Sequence, residues 1–398
     1  MINEALQRET LDLLKQLIAC PSLSGEEQGV ASILKGYLGR NGFSTLETDR
    51  YGSLVAGVVG ARPGIRLLFD GHIDTVPAKN VQDWTTPPFE PVVRDGKLYG
   101  RGTSDMKGAD AAFAVAAAQY LRETGRSFAG ELWFAGVVQE ECFEGVCAKE
   151  VAKRVQPDLV VIGEASEGNL KLSQRGRAEI VLETFGVPCH SANPEKGVNA
   201  AAAMCGLIEA ILKLPPTRDP RMVGDGILVL TDIKSDPYPG ASVVPHYCRA
   251  TFDRRLLVGE TRESVLAPIE AIIAERKRLD PTLNARVSYP MGSANCATGE
   301  TVAAERFFAP WWFAPDARVL RVKAAMEARG LAPKITGYSF CTNGSYYAGE
   351  AGIPTFGFGP SREDLAHTVD EHIALSDLFS AVDGYLAMLH ALLDQGIE

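Results

Sequence analysis

An α/β fold, with a mainly parallel central sheet, helices on both faces and an inserted α+β domain, is predicted by three features of the sequence. Short apolar runs alternate with amphipathic stretches at both ends of the chain, which is the pattern of strands joined by helices in a parallel sheet. The middle of the chain instead follows the order β-α-β-β-α-β of a ferredoxin-like sandwich. Histidine and acidic residues follow several of the apolar runs, where ligands of parallel sheets gather.

The first part of the chain opens with a predicted amphipathic helix over residues 1–19, in which leucine and isoleucine recur at helical spacing. Pro21 ends this helix, and the run SGEE at residues 24–27 predicts a cap and the first turn of a second helix that continues to about Gly42. The next predicted elements are strands at 44–48, 53–59 and 67–69, a helix at 110–124, and strands at 131–138 and 158–163.

The pattern changes near Gln174. The predicted elements of the middle part are a strand at 177–185, a helix at 198–214, strands at 226–234 and 243–256, a helix at 261–279 and a strand at 285–289. A helix at 319–330, a strand at 354–359 and a helix at 375–393 then return to the first pattern. We therefore predict one larger domain formed by residues 1–175 and 295–398, with a smaller domain, residues 176–294, inserted into it.

The composition is that of an ordinary globular protein. Of the 398 residues, 46% are hydrophobic and 23% are charged, which suffices for two domains. The formal net charge of −10 argues against a nucleic-acid partner, which needs a basic face. No apolar run reaches the roughly 18 residues of a membrane span, and the N-terminus lacks the basic and apolar segments of a signal peptide. We expect a cytoplasmic protein with no membrane partner.

The eight cysteines are scattered, without a C-x-x-C pair, and predict reduced, mostly buried thiols. A catalytic cysteine is disfavoured for the same reason. The sequence also contains neither a Walker phosphate loop nor a G-x-S-x-G nucleophile motif.

Candidate ligands for a metal follow the predicted strands of the larger domain. His72 and Asp74 form an H-x-D pair after the strand at 67–69, and their side chains point the same way, so the carboxylate can steady the imidazole. Asp105 ends the run GRGTSD, just before an alanine-rich helix. Further candidates at strand ends are Glu140, Glu141, Glu164 and His367. Their shared placement predicts a metal site at one edge of the sheet.

Each of these features alone has an ordinary structural explanation. A Glu-Glu pair after a strand is usually a solvated loop, and His372 competes with His367 as the late histidine. The common order and strand-end placement favour the metal site. Imidazole and carboxylate are good zinc ligands, and cobalt and manganese accept the same set.

The motifs H-x-D, G-R-G-x-x-D-M-K-G, E-E, G-E and a late A-H-x-x-D-E, in this order, resemble the M20-type co-catalytic metallopeptidases and aminoacylases. That family includes acetylornithine deacetylase, succinyl-diaminopimelate desuccinylase, aminoacylase-1 and the glutamate carboxypeptidases. The resemblance covers nearly the whole chain. The segments QRGRAEI, FDRRLLVGET and CTNGSYYAG are most similar to its selenium-metabolism-linked hydrolase subgroup.

The resemblance implies two divalent metal ions, most simply Zn2+, with Co2+ or Mn2+ as alternatives. Asp105 is expected to bridge them, with His72 and Glu164 on one ion and Glu141 and His367 on the other. Two divalent ions are balanced by three carboxylates and one bridging hydroxide, which keeps a buried site near neutrality.

By the same resemblance, the bridging hydroxide is the nucleophile and Glu140 is the general base. Asp74 is expected to support His72 from the second coordination shell.

The inserted domain carries a second signature of the family, H-S-x-x-P-x-x-G-x-N-A, which begins at His190. The resemblance implies that this domain acts as a lid, that it joins two copies into a homodimer, and that His190 stabilises the carbonyl oxyanion in the partner's site. The alternative is a surface histidine at a strand end.

The residues that would bind the substrate are less clearly indicated by the sequence. Ser242 stands where relatives that grip a carboxylate have asparagine, which puts the usual clamp in question, although Arg254 and Arg255 remain. Asn343 and Ser345 are candidates for substrate contact or for turn formation. The aromatic run at residues 307–313 predicts packing at the crossing between domains, or else the wall of a pocket for an apolar acyl group.

We therefore expect a dinuclear metallohydrolase that cleaves the amide bond of a small N-acyl amino acid or a dipeptide-like substrate. Removal of a carbamoyl group from a ureido compound on the same scaffold is the alternative reaction. A non-catalytic, metal-stabilised binding subunit is the alternative class, and the presence of Glu140 argues against it.

Overall fold

A computed structural model describes residues 2–394. The helices are α1 Glu4–Ile18, α2 Gln28–Arg40, α3 Lys107–Thr124, α4 Ala148–Val155, α5 Ala200–Ile211, α6 Arg262–Leu279, α7 Ala317–Ala328 and α8 Leu375–Leu393. The strands up to the middle of the chain are β1 Thr45–Thr48, β2 Leu54–Val59, β3 Arg62–His72, β4 Val92–Arg94, β5 Lys97–Tyr99, β6 Ala129–Val137, β7 Leu159–Ile162, β8 Leu170–Gln174 and β9 Gly176–Phe185. The later strands are β10 Ile227–Asp236, β11 Tyr247–Leu256, β12 Asn284–Ser288, β13 Met291–Asn295, β14 Thr301–Glu305, β15 Phe307–Phe308, β16 Trp311–Trp312, β17 Ile335–Tyr338, β18 Thr355–Gly357 and β19 His372–Ala374.

The central sheet has nine strands in the order β1-β2-β6-β3-β7-β18-β8-β16, with β17 also paired to β8. Its middle is parallel, because β3 pairs with β6 and β7, and β18 pairs with β7, in that sense. The two outermost pairs, β1 with β2 and β16 with β8, are antiparallel. The predicted mainly parallel α/β sheet is therefore confirmed.

The second sheet is antiparallel, in the order β10-β11-β9-β12, with β15 added to β9. Helices α5 and α6 pack on it around a separate apolar cluster that includes Ile180, Met204, Leu207, Phe252 and Ile269. All six elements of the predicted β-α-β-β-α-β order are present. The division at residues 175 and 294 stays a prediction, and β15 shows that a strand beyond residue 294 also joins this sheet.

Two small sheets were not predicted. A hairpin of β13 and β14 follows the second sheet, and a three-stranded sheet joins β19, β5 and β4. The pairing of His372 with Tyr99 in that sheet ties the late histidine loop to the segment before Asp105. These strands are short, so they leave little periodicity in the sequence.

The predicted cap at residues 24–27 is wrong. Helix α2 begins at Gln28, and its N-cap residue, Glu27, makes no side-chain capping bond. The Ser24 hydroxyl donates instead to Asp74 Oδ2 over 2.7 Å, and Glu27 turns inward. A tertiary acceptor has therefore replaced the local helix cap.

The aromatic run at residues 307–313 lies mainly at the crossing between the two sheets. Phe307 and Phe308 pair with β9, and Trp311 pairs with β8 at Gln174, to whose Oε1 the indole donates over 2.9 Å. These residues are not among those that line the cavity above the candidate metal site, which supports the predicted packing role.

No helix within residues 2–394 combines the length and the apolar character that crossing a membrane requires. All eight cysteines are free, as the scattered spacing predicts.

Candidate metal centre

Three neighbouring strands of the central sheet end at one edge, and a candidate ligand stands at each end. His72 is the last residue of β3, Glu140 and Glu141 follow β6, and Glu164 follows β7. The parallel pairing of β3 with β6 and β7 places the three ends side by side. The sheet therefore positions these side chains in the way the sequence predicts.

The Asp105 carboxylate lies between two histidines. Its Oδ1 is 2.8 Å from Nε2 of His72, and its Oδ2 is 3.1 Å from Nε2 of His367. The His72 nitrogen is also 3.5 Å from Glu164 Oε1, and the His367 nitrogen is 2.9 Å from Glu141 Oε2. All five predicted ligands thus converge, paired as the resemblance implies, with Asp105 in the middle. Their role as ligands stays a prediction.

Asp74 supports the centre in a different way from the one expected. The Nδ1 atom of His72 is 2.9 Å from the backbone carbonyl of Asp74 but 3.6 Å from its carboxylate, which is too long for a hydrogen bond. The carboxylate accepts instead from the backbone amides of Glu140, over 3.1 Å, and Glu141, over 3.2 Å. Asp74 therefore fixes the turn that presents both glutamates.

Glu140 is 5% exposed and lines the cavity in front of the centre. Its Oε1, like Oε1 of Glu141, is buried without a hydrogen-bond partner in the described chain. A carboxylate oxygen of Glu140 also lies within 4.8 Å of ligand atoms of His72 and Glu164. The geometry accommodates Glu140 either as a base beside a metal or as one more ligand.

The charges of the centre fit a pair of divalent cations. Burial, and then the Asp105 charge, raise the pKa of Glu141 to about 7 and that of Glu164 well above its usual range. Burial lowers the pKa of His72, but the surrounding carboxylates, Glu164 first, raise it. The pKa of His72 therefore ends well above its usual value. Carboxylates crowded in this way are stable in their ionised form only beside positive charge. Unpartnered carboxylate oxygens beside imidazoles are the donor set of such ions.

Two residues at the centre have left-handed backbone conformations without being glycine. Gln139, which precedes the glutamate pair, has φ 60°, and His367 has φ 63°. Such conformations cost of order 1 kcal/mol or more and persist where the surroundings enforce them. The strain therefore falls on the two segments that aim Glu140 and the exposed His367 into the cavity.

Glu371 is a residue of this region to which the sequence analysis assigned no role. It is fully buried and accepts from the backbone amides of Gly102, Ser104 and Asp105. Arg101 donates to its other oxygen over 2.5 Å. Glu371 thus holds the loop that carries the bridging carboxylate. The sequence does contain a feature that points to Glu371, since this residue ends the late A-H-x-x-D-E motif.

Glu27 is a second such residue, behind the glutamate turn. Its Oε1 accepts from the amides of Gly25, over 2.8 Å, and Gln139, over 3.2 Å. Burial, and then the charge of Asp74, raise its pKa from 4.5 to about 7. The carboxyl group therefore supports the turn while resisting ionisation.

We expect Glu27→Gln to stabilise the protein at alkaline pH. The unfolded carboxyl loses its proton near pH 4.5 and the folded one only near pH 7, so the folded chain binds an extra proton between these values and stability falls as pH rises. Above pH 7 the whole penalty is present, up to about 3 kcal/mol. Urea unfolding at pH 5 and pH 8 should show the gain of the variant growing between them. Glu26→Gln, the same change at an exposed neighbour, should show no such growth.

His190 lies away from the centre within one chain. It is exposed, pairs with Val243 in an isolated bridge, and does not line the cavity. The amide of Ala192 donates to its Nδ1 over 3.0 Å, which leaves Nε2 as the ring donor. His190 is therefore not part of the cavity wall of its own chain.

The cavity in front of the centre has a volume of about 410 Å³ and a charged wall. Arg255 lines it and pairs with Asp253 over 3.0 Å. Arg177 donates to both oxygens of Glu144, over 2.6 and 2.9 Å, and both residues line the cavity. This pair was not predicted from the sequence, because its two members lie 33 residues apart.

Asn343 and Ser345 are not brought to the cavity. The Asn343 amide donates to Asp70 and accepts from the amide of Gly145, each over 2.9 Å. The Ser345 hydroxyl accepts from Gln174 over 2.9 Å. Both residues are 2% exposed, and neither lines the cavity. Their bonds shape the wall from behind, which corresponds to the turn-forming alternative.

The chain resembles known proteins over nearly its whole length. The model of peptidase family M20/M25/M40 matches residues 68–391. The chain is 32% identical over 389 residues to the uncharacterized protein YgeY of Escherichia coli (strain K12), covering 96% of this chain and 94% of that protein. It is 27% identical over 381 residues to succinyl-diaminopimelate desuccinylase 2 of Ruegeria sp. (strain TM1040), covering 93% and 91%.

Among solved structures, the YXEP protein of Bacillus subtilis, a dinuclear metal binding peptidase from the M20 family, has the same fold. Its TM-score is 0.72 at 14% sequence identity, and the match covers 97% of this chain and 99% of that one. The likeness in fold therefore extends over nearly the whole of both chains.

Proposed function

We infer the reaction from one premise, that the chain belongs to peptidase family M20/M25/M40 and is a metal-dependent amidohydrolase or peptidase. We propose that it cleaves the amide bond of a small N-acyl amino acid or dipeptide-like substrate. The observation that carries this proposal is the Asp105 carboxylate, whose two oxygens face His72 and His367 from opposite sides. One relative is a desuccinylase, and one structural neighbour is a dinuclear metal binding peptidase. Both likenesses support the proposal.

The proposed centre holds two divalent ions, with zinc favoured by its imidazole and carboxylate donors. His72, Glu164 and Asp105 would hold one ion, and Asp105, Glu141 and His367 the other. Bound there, the ions supply Lewis acidity to the scissile carbonyl and to water. Asp74 and Glu371 keep the glutamate turn and the Asp105 loop in place.

Glu140 is proposed to move the proton. Glu140 lines the cavity, and its buried Oε1 has no hydrogen-bond partner within residues 2–394, so the carboxylate can accept the proton of the attacking water and pass it to the leaving nitrogen. Burial, and the charges of Glu164 and Glu144, raise its pKa well above its usual range. A carboxylate with a raised pKa is a stronger base toward the attacking water.

The cavity supports a small substrate. A volume of about 410 Å³ is near the lower end of the range for ligand sites. Arg255, whose side chain is partly exposed, is proposed to bind a substrate carboxylate in place of the missing asparagine clamp. The neutralised Arg177–Glu144 pair, whose arginine is the cross-strand partner of Arg255, would face an uncharged polar group beside that carboxylate.

A substrate panel tests the proposal. The metal-loaded protein would be given N-acetyl, N-succinyl and N-carbamoyl amino acids together with dipeptides, and release of the free amino acid would be measured. Turnover of acyl compounds or dipeptides supports the proposal. Turnover of N-carbamoyl compounds alone, with ammonia released, favours the ureido reaction. Binding without turnover across the panel supports the non-catalytic alternative and contradicts the proposal.

We further propose that His190 acts across a homodimer, since its ring is exposed, keeps Nε2 as a donor and does not line this chain's own cavity. His190→Ala is expected to lower kcat by about 100-fold, the effect of losing one oxyanion donor.

Mixing two inactive variants provides the control for this prediction. In a dimer of one His190→Ala and one Glu140→Gln subunit, one of the two sites would be intact. Unfolding and refolding an equal mixture should therefore restore about a quarter of wild-type activity. A mixture as inactive as its components would contradict action in trans.

A further inference from the structure

A second cavity lies in the helical layer of the second sheet, away from the candidate metal centre. Its volume of about 430 Å³ is close to that of the cavity in front of the centre, and the two share no lining residue. Its walls come from the end of α5, the loop after it, the first half of α6 and the strands beneath. The apolar wall includes Ile180, Ile211, Leu228, Val265 and Ile269.

One end of this cavity is polar. Arg254 is only 8% exposed, and its Nη2 donates to Glu260 and, over 2.8 Å, to Thr217. Its Nε and Nη1 make no hydrogen bond within residues 2–394. A Cβ at Gly226 would come within 3.1 Å of Nη1 and Nη2, so glycine leaves this face of the guanidinium open. Arg254 therefore offers unused donors at the cavity wall.

A backbone acceptor that lacks its usual helical donor lies in the wall of the same cavity. Pro268 stands inside α6 and lines the cavity. Because proline has no N–H, the carbonyl of Ser264, four residues earlier, lacks its helical donor. Ser264 also lines the cavity. A donor, an acceptor and the Glu260 carboxylate are thus gathered beside an apolar chamber.

We propose that this cavity binds a free apolar α-amino acid. The carboxylate would accept from Arg254, the ammonium would donate to Glu260 and to the Ser264 carbonyl, and the side chain would fill the apolar chamber. Arg254 and Glu260 already neutralise each other, so a zwitterion satisfies both without burying net charge. An anion or a cation alone would add a buried net charge to the neutral Arg254–Glu260 pair. The proposal is independent of the reaction at the metal centre.

Calorimetric titration of the full-length, metal-loaded protein with L-leucine tests the proposal. One site with a Kd in about the micromolar to millimolar range is expected, as suits a ligand of this size. Leu228→Trp, which fills the cavity from a half-buried position, should weaken binding at least about tenfold. Leu212→Trp, at an exposed lining position, is the second filling variant, should Leu228→Trp not fold.

Two controls locate the ligand. Leu279→Trp makes the same change at an exposed position at the far end of α6 and should bind leucine as the wild type does. Glu140→Gln, in the other cavity, should do so too. Binding that is lost in Glu140→Gln but kept in the filling variants would place leucine in the other cavity and overturn the proposal. Absence of binding to the wild type would overturn it as well.

Two analogues test the zwitterion. 4-Methylpentanoate keeps the apolar chain and the carboxylate of leucine, and 3-methylbutylamine keeps the chain and the ammonium. Each should bind at least about tenfold more weakly than leucine, because each adds a net charge to the neutral Arg254–Glu260 pair and lacks one of the two polar contacts of leucine. Equal binding of either analogue would show that the site does not recognise a zwitterion, and the assignment would fail.

Discussion

Glu140→Gln is expected to lower kcat by about 10²- to 10⁴-fold, the usual contribution of a positioned general base. The change keeps the size of the side chain and the backbone bond from Glu140 to Asp74, but glutamine cannot accept a proton. Metal content should stay near two ions per chain, as measured by elemental mass spectrometry, because the five proposed ligands are untouched. KM should change little, since the lost interaction belongs to the transition state.

The control for Glu140→Gln is Glu363→Gln, an isosteric change of another carboxylate in the same cavity. Glu363 pairs with Lys171 over 2.9 Å and accepts from Ser339 over 2.7 Å, so its role is structural. We expect kcat within about tenfold of wild type for this variant. If Glu140→Gln loses metal along with activity, Glu140 is a ligand, as its closeness to His72 and Glu164 also allows. If it keeps both, the proposed base is wrong.

The parts of the site that the sequence predicted are those that strand ends determine. His72, Glu141 and Glu164 each follow an apolar run, and parallel pairing of those runs places them side by side. The mutual arrangement of Asp105 and His367 depends on loops instead, and for these the resemblance supplied the expectation. Their observed distances from His72 and Glu141 agree with it.

The features that the sequence did not predict are tertiary hydrogen bonds between distant segments. Ser24 looked like a helix cap, but its hydroxyl bonds to Asp74, 50 residues away. Glu371 binds amides in a loop 266 to 269 residues earlier. Local periodicity carries no information on such partners, because the acceptor is chosen by the packing of the finished fold. The same reason applies to Asn343, whose partners are Asp70 and Gly145.

Asp105→Asn is expected to lower kcat at least as much as Glu140→Gln does. The cause here would be loss of metal and not loss of the general base. Asparagine keeps the shape of the side chain, but one of the two oxygens that face His72 and His367 becomes an amide nitrogen, which is a donor. We expect at least one ion per chain to be lost and kcat to fall by at least about 10³-fold. Elemental mass spectrometry and steady-state kinetics would measure the two effects on the same preparation.

The fold should survive this substitution, because Glu371 still holds the loop through its backbone amides. Asp364→Asn, at an exposed site where the carboxylate pairs with Arg362, is the control and should keep both metal and activity. Prolonged dialysis of the wild type against a chelator should reproduce the loss in Asp105→Asn, and added Zn2+ should restore the wild type but not the variant. Full metal content in Asp105→Asn would mean that the carboxylate between the two histidines is not a bridge. The pairing of His72 with Glu164 and of His367 with Glu141 would then need another explanation, because burial and mutual repulsion disfavour the ionised form of both acids when no cation is bound.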